Sequence, residues 1–322
     1  MKKIATLFVL FYLSFSIIYA QTTELEKTLR KQNIDTTKSS TWETGGVISL
    51  NLSQVSLKNW SAGGENSLSW NGLVNVFLNY KNKNISWDNT LDIGYGSIKK
   101  GESENFIKSD DKIDLSSKYG QKILNNLYFS GLLNLKTQIT AGYKLPNDST
   151  KISNFLAPGY LLGAIGMDYK LNSKFSCYLS PITTKITIVN DQTLANSGAF
   201  GVKPAEYDTT NNIIKEGKRT RSEFGGYLKI HFKHNIMKNI SFQTKLDLFS
   251  NYLNNPTNID INWETLLAMK INKFFTANIA TNLLYDDDIT IKEDTNGDDI
   301  VDKSGPRTQF KEVFGIGISY KF

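Results

Sequence analysis

The sequence predicts an all-β protein: a transmembrane, antiparallel, up-and-down β-barrel of about twelve strands with both termini in the periplasm. Three observations lead there. The first is the last segment of the chain. Phe310, Phe314, Ile316, Ile318, Tyr320 and Phe322 share one parity, and Lys311, Val313, Gly315, Gly317, Ser319 and Lys321 the other. Alternate side chains of a strand point to opposite sides. This strand therefore has a greasy, aromatic-ended face and a small or polar face, as a wall between lipid and lumen requires. The second is that connections between strand-like segments alternate between short and long. The third is a leader of the export type.

Taken in order, the chain opens with Met1-Lys2-Lys3, an apolar run from Ile4 through Ile18, and Tyr19-Ala20 before Gln21. A basic start, a short apolar stretch and a small residue at the cut describe a secretory signal cleaved near Ala20, and the run is too short for a stable membrane anchor. No cysteine follows the cut, which excludes a lipid-anchored N-terminus. Residues 21–43 are polar and read as a periplasmic segment, in which 23–31 resembles a short surface helix. The barrel then occupies 44–322. Its strands are expected near 44–57, 66–81, 84–98, 111–122, 126–142, 159–171, 174–189, 222–236, 239–253, 259–272, 274–288 and 310–322.

Period-2 alternation supports these segments. Leu68, Trp70, Val74, Val76, Leu78 and Tyr80 oppose Ser69, Asn71, Asn75 and Asn79; Ile240, Phe242, Leu246 and Leu248 oppose Ser241, Gln243, Lys245 and Asp247. A soluble sandwich shows the same two-sided pattern, so the connections decide. Lys81–Asn84, Asn172-Ser173, Met237-Lys238 and Asn272-Lys273 are tight, whereas 58–65, 99–110, 143–158, 190–221 and 289–309 are longer. Tight turns at one end and long loops at the other are the pattern of an outer-membrane barrel. Trp70 and Tyr80, like Phe242 and Tyr252, stand ten residues apart on the apolar face. With a tilt near 40° that separation spans roughly 25 Å, the height of the lipid-facing band.

Composition agrees. Aromatics make up 12% of the chain and there are only 6 prolines, which suits long paired strands. Mean hydropathy is −0.31, as expected where lipid-facing and inward residues alternate. Cys177 is the single cysteine, so no internal disulfide forms. With 2 histidines, a His/Cys zinc cluster is not expected. The net charge of +6 falls to about +4 when Lys2 and Lys3 leave with the signal, and the basic residues are dispersed, so nucleic acid is not an expected partner.

Several segments resemble a family of exported Bacteroidetes proteins known as domain of unknown function 3078. They are Asn59-Trp-Ser-Ala-Gly-Gly-Glu-Asn-Ser67, Ser86-Trp-Asp-Asn89, Lys108-Ser-Asp-Asp-Lys112, Phe155-Leu-Ala-Pro-Gly-Tyr160 and Ser180-Pro-Ile-Thr-Thr-Lys185. Gly198-Ala-Phe-Gly-Val202, Leu246-Asp-Leu-Phe-Ser-Asn-Tyr252, Tyr285-Asp-Asp-Asp-Ile289 and Gln309-Phe-Lys-Glu312 continue the series, so the resemblance runs in order over about 42–322. It implies an outer-membrane location and lends no reaction.

The inward parity supplies the candidate site. Asn71, Asn75, Asp88, Asp92, Asn134, Lys136, Lys229, His231, Lys233, Lys245, Asp247 and Glu264 are expected to line the lumen with both signs of charge. Such a lining fits either a narrow aqueous path for small polar solutes or a closed interior whose charges pair across the barrel. Leu73, Phe77, Leu132 and Phe249 share that parity and favour partial occlusion. On the outward parity, Trp70, Tyr80, Trp87, Tyr95, Phe242, Tyr252, Trp263, Tyr320 and Phe322 are expected to form aromatic girdles.

Asp294, Asn296, Asp298 and Asp302, with the carbonyl of Ile300, have the spacing of a calcium loop. Asp299 and Gly305 stand where an EF-hand-like loop wants glycine and a bidentate glutamate, so a solvated acidic turn competes with calcium. Asp286, Asp287 and Asp288 are expected at the base of that loop, and Asp110 and Asp111 in another external loop. A lipid hydrolase would call on His231, but no G-x-S-x-G elbow is present and the expectation is a non-enzyme. Expected partners are outer-membrane lipid and lipopolysaccharide, the assembly machinery during insertion, and a solute or surface partner that the sequence does not identify.

Overall fold

The computed structural model describes residues 40–57, 65–101, 105–144, 149–172, 174–272, 275–293 and 302–321. Residues 1–39, including the expected signal and nearly all of the polar segment, lie outside them. Twelve long strands close into one antiparallel barrel in sequence order. They are β1 (Ser40–Val55), β2 (Ser67–Asn82), β3 (Ile85–Lys100), β4 (Ile107–Leu124), β5 (Leu127–Thr137) and β6 (Gly159–Asn172). β7 (Phe175–Ile188), β8 (Thr220–Met237), β9 (Ile240–Asn251), β10 (Ile259–Lys270), β11 (Phe275–Tyr285) and β12 (Gln309–Lys321) complete the ring. Each answers to one of the twelve expected strands.

Alternation is the cause. Along β12, Phe310, Phe314, Ile316, Ile318 and Tyr320 are all more than half exposed, facing outward, while Ser319 is buried. The outer wall repeats this on other strands with Ile48, Leu50 and Leu52, Leu133, Ile165, Leu179 and Ile182. A belt of this size left bare would be a severe liability in water; against hydrocarbon it needs no cover. Closure joins the last strand to the first over Val47–Asn51 and Gly317–Lys321, so the sheet is a ring, as the bilayer demands. The seam pairs Val47 with Lys321 and Asn51 with Gly317. A Cβ on Gly317 would fall 2.2 Å from the Leu50 carbonyl oxygen, so glycine is what lets β12 approach β1 there.

Pro181 lies inside β7, where it cannot donate to a ladder. The pairing accommodates it by a bulge: Leu179 and Ile182 oppose Met167 and Ile165 on β6, and Ser180 and Thr183 oppose Tyr227 and Gly225 on β8. The Ser180 hydroxyl lies 2.8 Å from the carbonyl oxygens of both Ile165 and Ile182 and accepts from Thr183. The polar groups that the bulge would otherwise leave unpaired are thereby satisfied.

Two expectations need correction. Strand five was expected to reach 142 but ends at Thr137. The carboxylate of Asp111 takes the backbone N–H groups of Ile139 (2.6 Å) and Thr140 (2.9 Å) and turns the chain out of the ladder. Asp110 and Asp111 are accordingly not in a loop: they belong to β4, which starts at Ile107.

Both ends of the described barrel, Ser40 and Lys321, lie at the tight-turn end, since Ser40 pairs with Asn82 beside the β2–β3 turn. The long loops at the other end carry their own structure. Short antiparallel ladders join 142–143 to 151–153, 206–207 to 213–215 and 291–293 to 303–305. A helical turn, α1 (Gln192–Asn196), was not foreseen. It is capped by Asp191, whose carboxylate accepts from the N–H groups of Thr193 and Leu194. Its Leu194 and Ala195 pack with Val189, Val202 and, from the β5–β6 loop, Ala157, so two external loops share a small core.

Candidate functional site

The lumen is the candidate site. Every lumenal residue expected from the sequence faces inward, and the structure shows which groups they meet. Lys112 on β4 reaches Glu264 on β10 at 3.0 Å. Lys245 on β9 reaches Asp92 on β3 at 3.7 Å. In a closed ring of twelve strands each of these pairs joins walls six strands apart, so both span a diameter. Shorter chords run beside them: Lys136 to Asp247 at 3.3 Å, Lys170 to Asp88 at 2.6 Å and Lys311 to Asp110. Amides complete the network. Asn134 donates to Asp114 (2.6 Å), Asn71 to Asp110 (3.1 Å) and Asn75 to Asp92.

The interior is filled unevenly. On β5 to β9, Leu132, Ala164, Tyr178, Tyr227 and Phe249 form a buried cluster, with Tyr178 and Tyr227 ring centroids 6.3 Å apart. The inward Leu132 and Phe249 of the sequence reading belong to it. The opposite wall carries smaller side chains, Thr276, Asn278 and Ala280 on β11, Val313 on β12, and Val47 and Ser49 on β1, with the charged Lys311 on β12 toward the loop end and Glu43 on β1 toward the turn end. The lumen holds a cavity of about 830 Å³ lined from every strand of the ring. Its lining includes Glu43, Asn79, Asn172 and Phe175 near the tight turns, and Asp110, Gln138, Pro158 and Tyr160 near the loops.

At the loop end a second kind of site appears. Lys185 on β7 is enclosed by Asp260, Asp286 (3.2 Å) and Glu223 (3.5 Å). Arg221 pairs with Glu223 at 2.9 Å and with Asp288 at 2.8 Å. Asp286 is therefore not a solvated loop residue: it is buried beneath the loops, with one oxygen on Lys185. Oxygens of Asp260, Asp286 and Asp287 come within 4.8 Å of one another, the nearest approach to a metal-binding group among the described residues. The Lys185 ammonium already supplies the compensating charge to two of them. Of the expected calcium loop, Asp294, Asn296, Asp298 and Ile300 lie outside the described residues; Asp302 is described and exposed.

His231 stands opposite Lys245 on β9 and Ser176 on β7. Its Nε2 is buried and has no hydrogen-bond partner, so no serine is engaged through that nitrogen. It faces the lumen between Lys229 and Lys233, not the lipid boundary.

Outside, aromatics gather toward both ends of the wall. Trp70 and Tyr95 lie 5.6 Å apart toward the loop end, and Phe224 and Tyr252 6.2 Å apart. Toward the turn end, Tyr80 and Trp87 both contact Trp42, at 5.0 and 6.0 Å. Trp42, missed as a girdle residue because it precedes the expected start of strand one, belongs with them. Phe242 lies near the β8–β9 turn, and Tyr320 next to the last residue of β12. Trp263 lies on the outward face of β10, its indole N–H donating to Thr244 Oγ1 at 2.8 Å. Phe322 lies outside the described residues.

Sequence reasoning also missed Lys112, Asp114, Lys118, Asp168 and Lys170. Lys112, Asp114 and Lys118 share the inward parity of β4, and Asp168 and Lys170 that of β6, so the alternation itself could have found them.

An inside-out molecule, apolar without and charged within, closed on itself by twelve strands, is a membrane β-barrel. The family model described as "Protein of unknown function (DUF3078)" matches residues 52–143, and one described as "Protein of unknown function, DUF481" matches 188–299. The first is the family whose resemblance the sequence carries, here over β1 to β5; the second is additional. No curated protein matches.

Among solved structures the chain is similar to the translocator domain of the autotransporter NalP from Neisseria meningitidis (8% identity, 92% of this chain and 93% of that one, TM-score 0.35). It is also similar to the NanC porin (10%, 86% and 100%, TM-score 0.36) and to an outer-membrane channel from Pseudomonas putida F1 (9%, 90% and 100%, TM-score 0.38). At these scores the barrel assignment rests on the strand pairing itself.

Proposed function

We propose that this chain is an outer-membrane barrel providing a narrow, ion-pair-braced path for small polar solutes. Its tight turns and termini face the periplasm and its long loops face outward into the lipopolysaccharide leaflet. Export by a signal cut near Ala20 and insertion by the assembly machinery belong to the same reading. The observation that supports it is the lumenal cavity, whose lining reaches from the turn end to the loop end. The small side chains of β11 and β1 leave room beside them, while the charged groups around the lumen supply hydrogen-bonding partners for a polar solute. Planar-bilayer recording of the purified protein tests this: small, discrete conductance steps are expected, and a silent bilayer with correctly folded protein overturns it.

One observation favours a second reading, a non-conducting structural or surface-binding barrel. Lys112–Glu264 and Lys245–Asp92 tie opposite walls together, and a fully braced lumen conducts nothing. The variant E264Q separates the two: it raises unitary conductance if the brace narrows a path, and leaves a closed barrel silent.

The proposal is non-enzymatic; unchanged lipid after reconstitution is its expected result, and hydrolysis abolished by His231→Ala would replace it. The 294–302 loop is proposed as a calcium site at the outer rim, where divalent ions would also bridge acidic groups to lipopolysaccharide. Chelator should lower the melting temperature, and an unchanged melt removes the site.

A further inference from the structure

The ring is closed by its shortest ladder. Residues 47–51 of β1 pair with 317–321 of β12, and the pairing stops at Asn51 and Gly317. Both strands run on toward the loops. β1 continues to Val55 and stays laddered to β2 as far as the Val55–Ser67 pair; β12 begins at Gln309 and is laddered to β11 from there. On the sides that face each other, residues 52–55 and 309–316, all of them described, carry no ladder. Exposure changes at the same point. Ser49 and Asn51 are buried, whereas Ser53, Gln54 and Val55 are all exposed, whichever face their parity gives them. The last rung is itself incomplete: the Oδ1 of Asn51, packed over Gly315 and Gly317, is buried without a hydrogen-bond partner.

A strand edge at membrane depth is tolerated only where protein covers it or water reaches it. Here the lumen lies behind the edge, since Lys311 and Val313 on β12 line the cavity together with Val47 and Ser49 on β1. The two mouths of the resulting slot differ in chemistry. Its outer lips are Leu52 on one side and Phe310, Phe314 and Ile316 on the other, all exposed and apolar. Leu52 stands opposite Trp70 of the loop-end aromatics, so the outer mouth opens where hydrocarbon gives way to headgroups. The inner side is polar, with Lys311 paired to Asp110 and Asn71 donating to the same carboxylate.

We infer that the β1–β12 seam is a lateral port, through which a single-chain amphiphile passes between the lumen and the loop-side leaflet. Its hydrocarbon tail occupies the slot and its polar head stays on the lumenal side. The wall sets this class. A wholly polar molecule gains nothing by leaving past Phe314 and Leu52, and a wholly apolar one loses by entering a lumen lined with Lys311, Asp110 and Asn71. A molecule with both parts is satisfied at both mouths. The port goes beyond the axial solute path and does not depend on it, because a barrel that conducts no ions can still open at its side.

The test uses the full-length barrel in lipid nanodiscs, with Cys177→Ala in every variant. Amide exchange over 52–55 and 309–316 is expected to be about tenfold or more faster than over the neighbouring β11. Equal protection means a seam laddered to its top and overturns the port. The double variant L52C/I316C then puts a thiol on each outer lip, so that oxidation ties the slot shut. V313C, labelled with bimane, reports from the lumenal side, and the probe is a glycerol monoester of dibrominated stearic acid, whose bromines quench at close range.

Quenching is expected with the lips reduced, lost on oxidation and regained with reductant. Quenching that survives oxidation comes from chains outside the wall and overturns the port, as does no quenching with the lips reduced. A disulfide joining two chains shows the edge taken by a second copy and also overturns it. Should the double variant not fold or not oxidise, Ser53→Phe, which fills the slot from an exposed position, must reduce the quenching. None of these readings involves ion conductance, so failure of the port and failure of the axial path are seen separately.

Discussion

Two groups of lumenal cations, similar in sequence context, live in opposite company. Lys185 is ringed by three carboxylates from three other parts of the ring, at the loop end. Lys229, His231 and Lys245 face one another on neighbouring strands near the middle, and the carboxylates nearest the two lysines, Asp247 and Asp92, stand at 3.9 and 3.7 Å. A cation caged by anions is structural, because its charge is already compensated. Cations left facing an aqueous cavity keep a field that a solute can use. The contrast places the caged cation at the loop end and the looser ion pairs below it.

The comparison can be broken first at Lys185. Lys185→Met leaves Asp260, Asp286 and Glu223 buried without their shared cation, and removing one partner of a buried pair costs about 3–5 kcal/mol. Urea unfolding in micelles measures it; a variant as stable as the wild type would mean that the cage is not structural. Glu264→Gln should cost less, about 1 kcal/mol, because Lys112 is 38% exposed and solvent screens the pair. Its visible effect is on conductance.

Asp191→Ala removes the cap of α1, worth about 1 kcal/mol of local order, and should raise hydrogen exchange over 189–205 without changing global unfolding. The same cap makes a pH prediction. Burial raises the Asp191 carboxyl, but hydrogen bonds from Lys151, from the Leu194 N–H and from Asn154 outweigh it and hold the group below its ordinary range. A depressed carboxylate stabilises fully above its unfolded value, near 4, and the contribution fades as pH falls through the folded value. Exchange in this loop should therefore rise only in strong acid. The smallest change is expected for Lys245→Gln, about 0.5 kcal/mol of destabilisation, because the lost 3.7 Å pair with Asp92 is partly offset by relief of the repulsion across from His231.

Much of this was legible. Period-2 alternation placed all twelve strands, and parity alone turned Asn71, Asp88, Lys136, Lys229 and Glu264 inward. What failed has local physical causes. Strand five was overextended because Asp111, distant in sequence, takes the N–H groups of Ile139 and Thr140. Asp110 and Asp111 looked like loop residues because acidic pairs usually are; only the partners Lys311 and Lys108 explain them inside a strand.

The amino-acid order by itself determined which side of each strand meets hydrocarbon and which meets the lumen, because that follows from backbone geometry two residues at a time. Closure decided the rest. Whether Lys112 meets Glu264, or Lys245 meets Asp92, depends on strands six positions apart coming to face each other, and that distance is created only when the twelfth strand joins the first. The same closure leaves one lysine caged by carboxylates and others beside like charge, a difference of neighbours rather than of residue type.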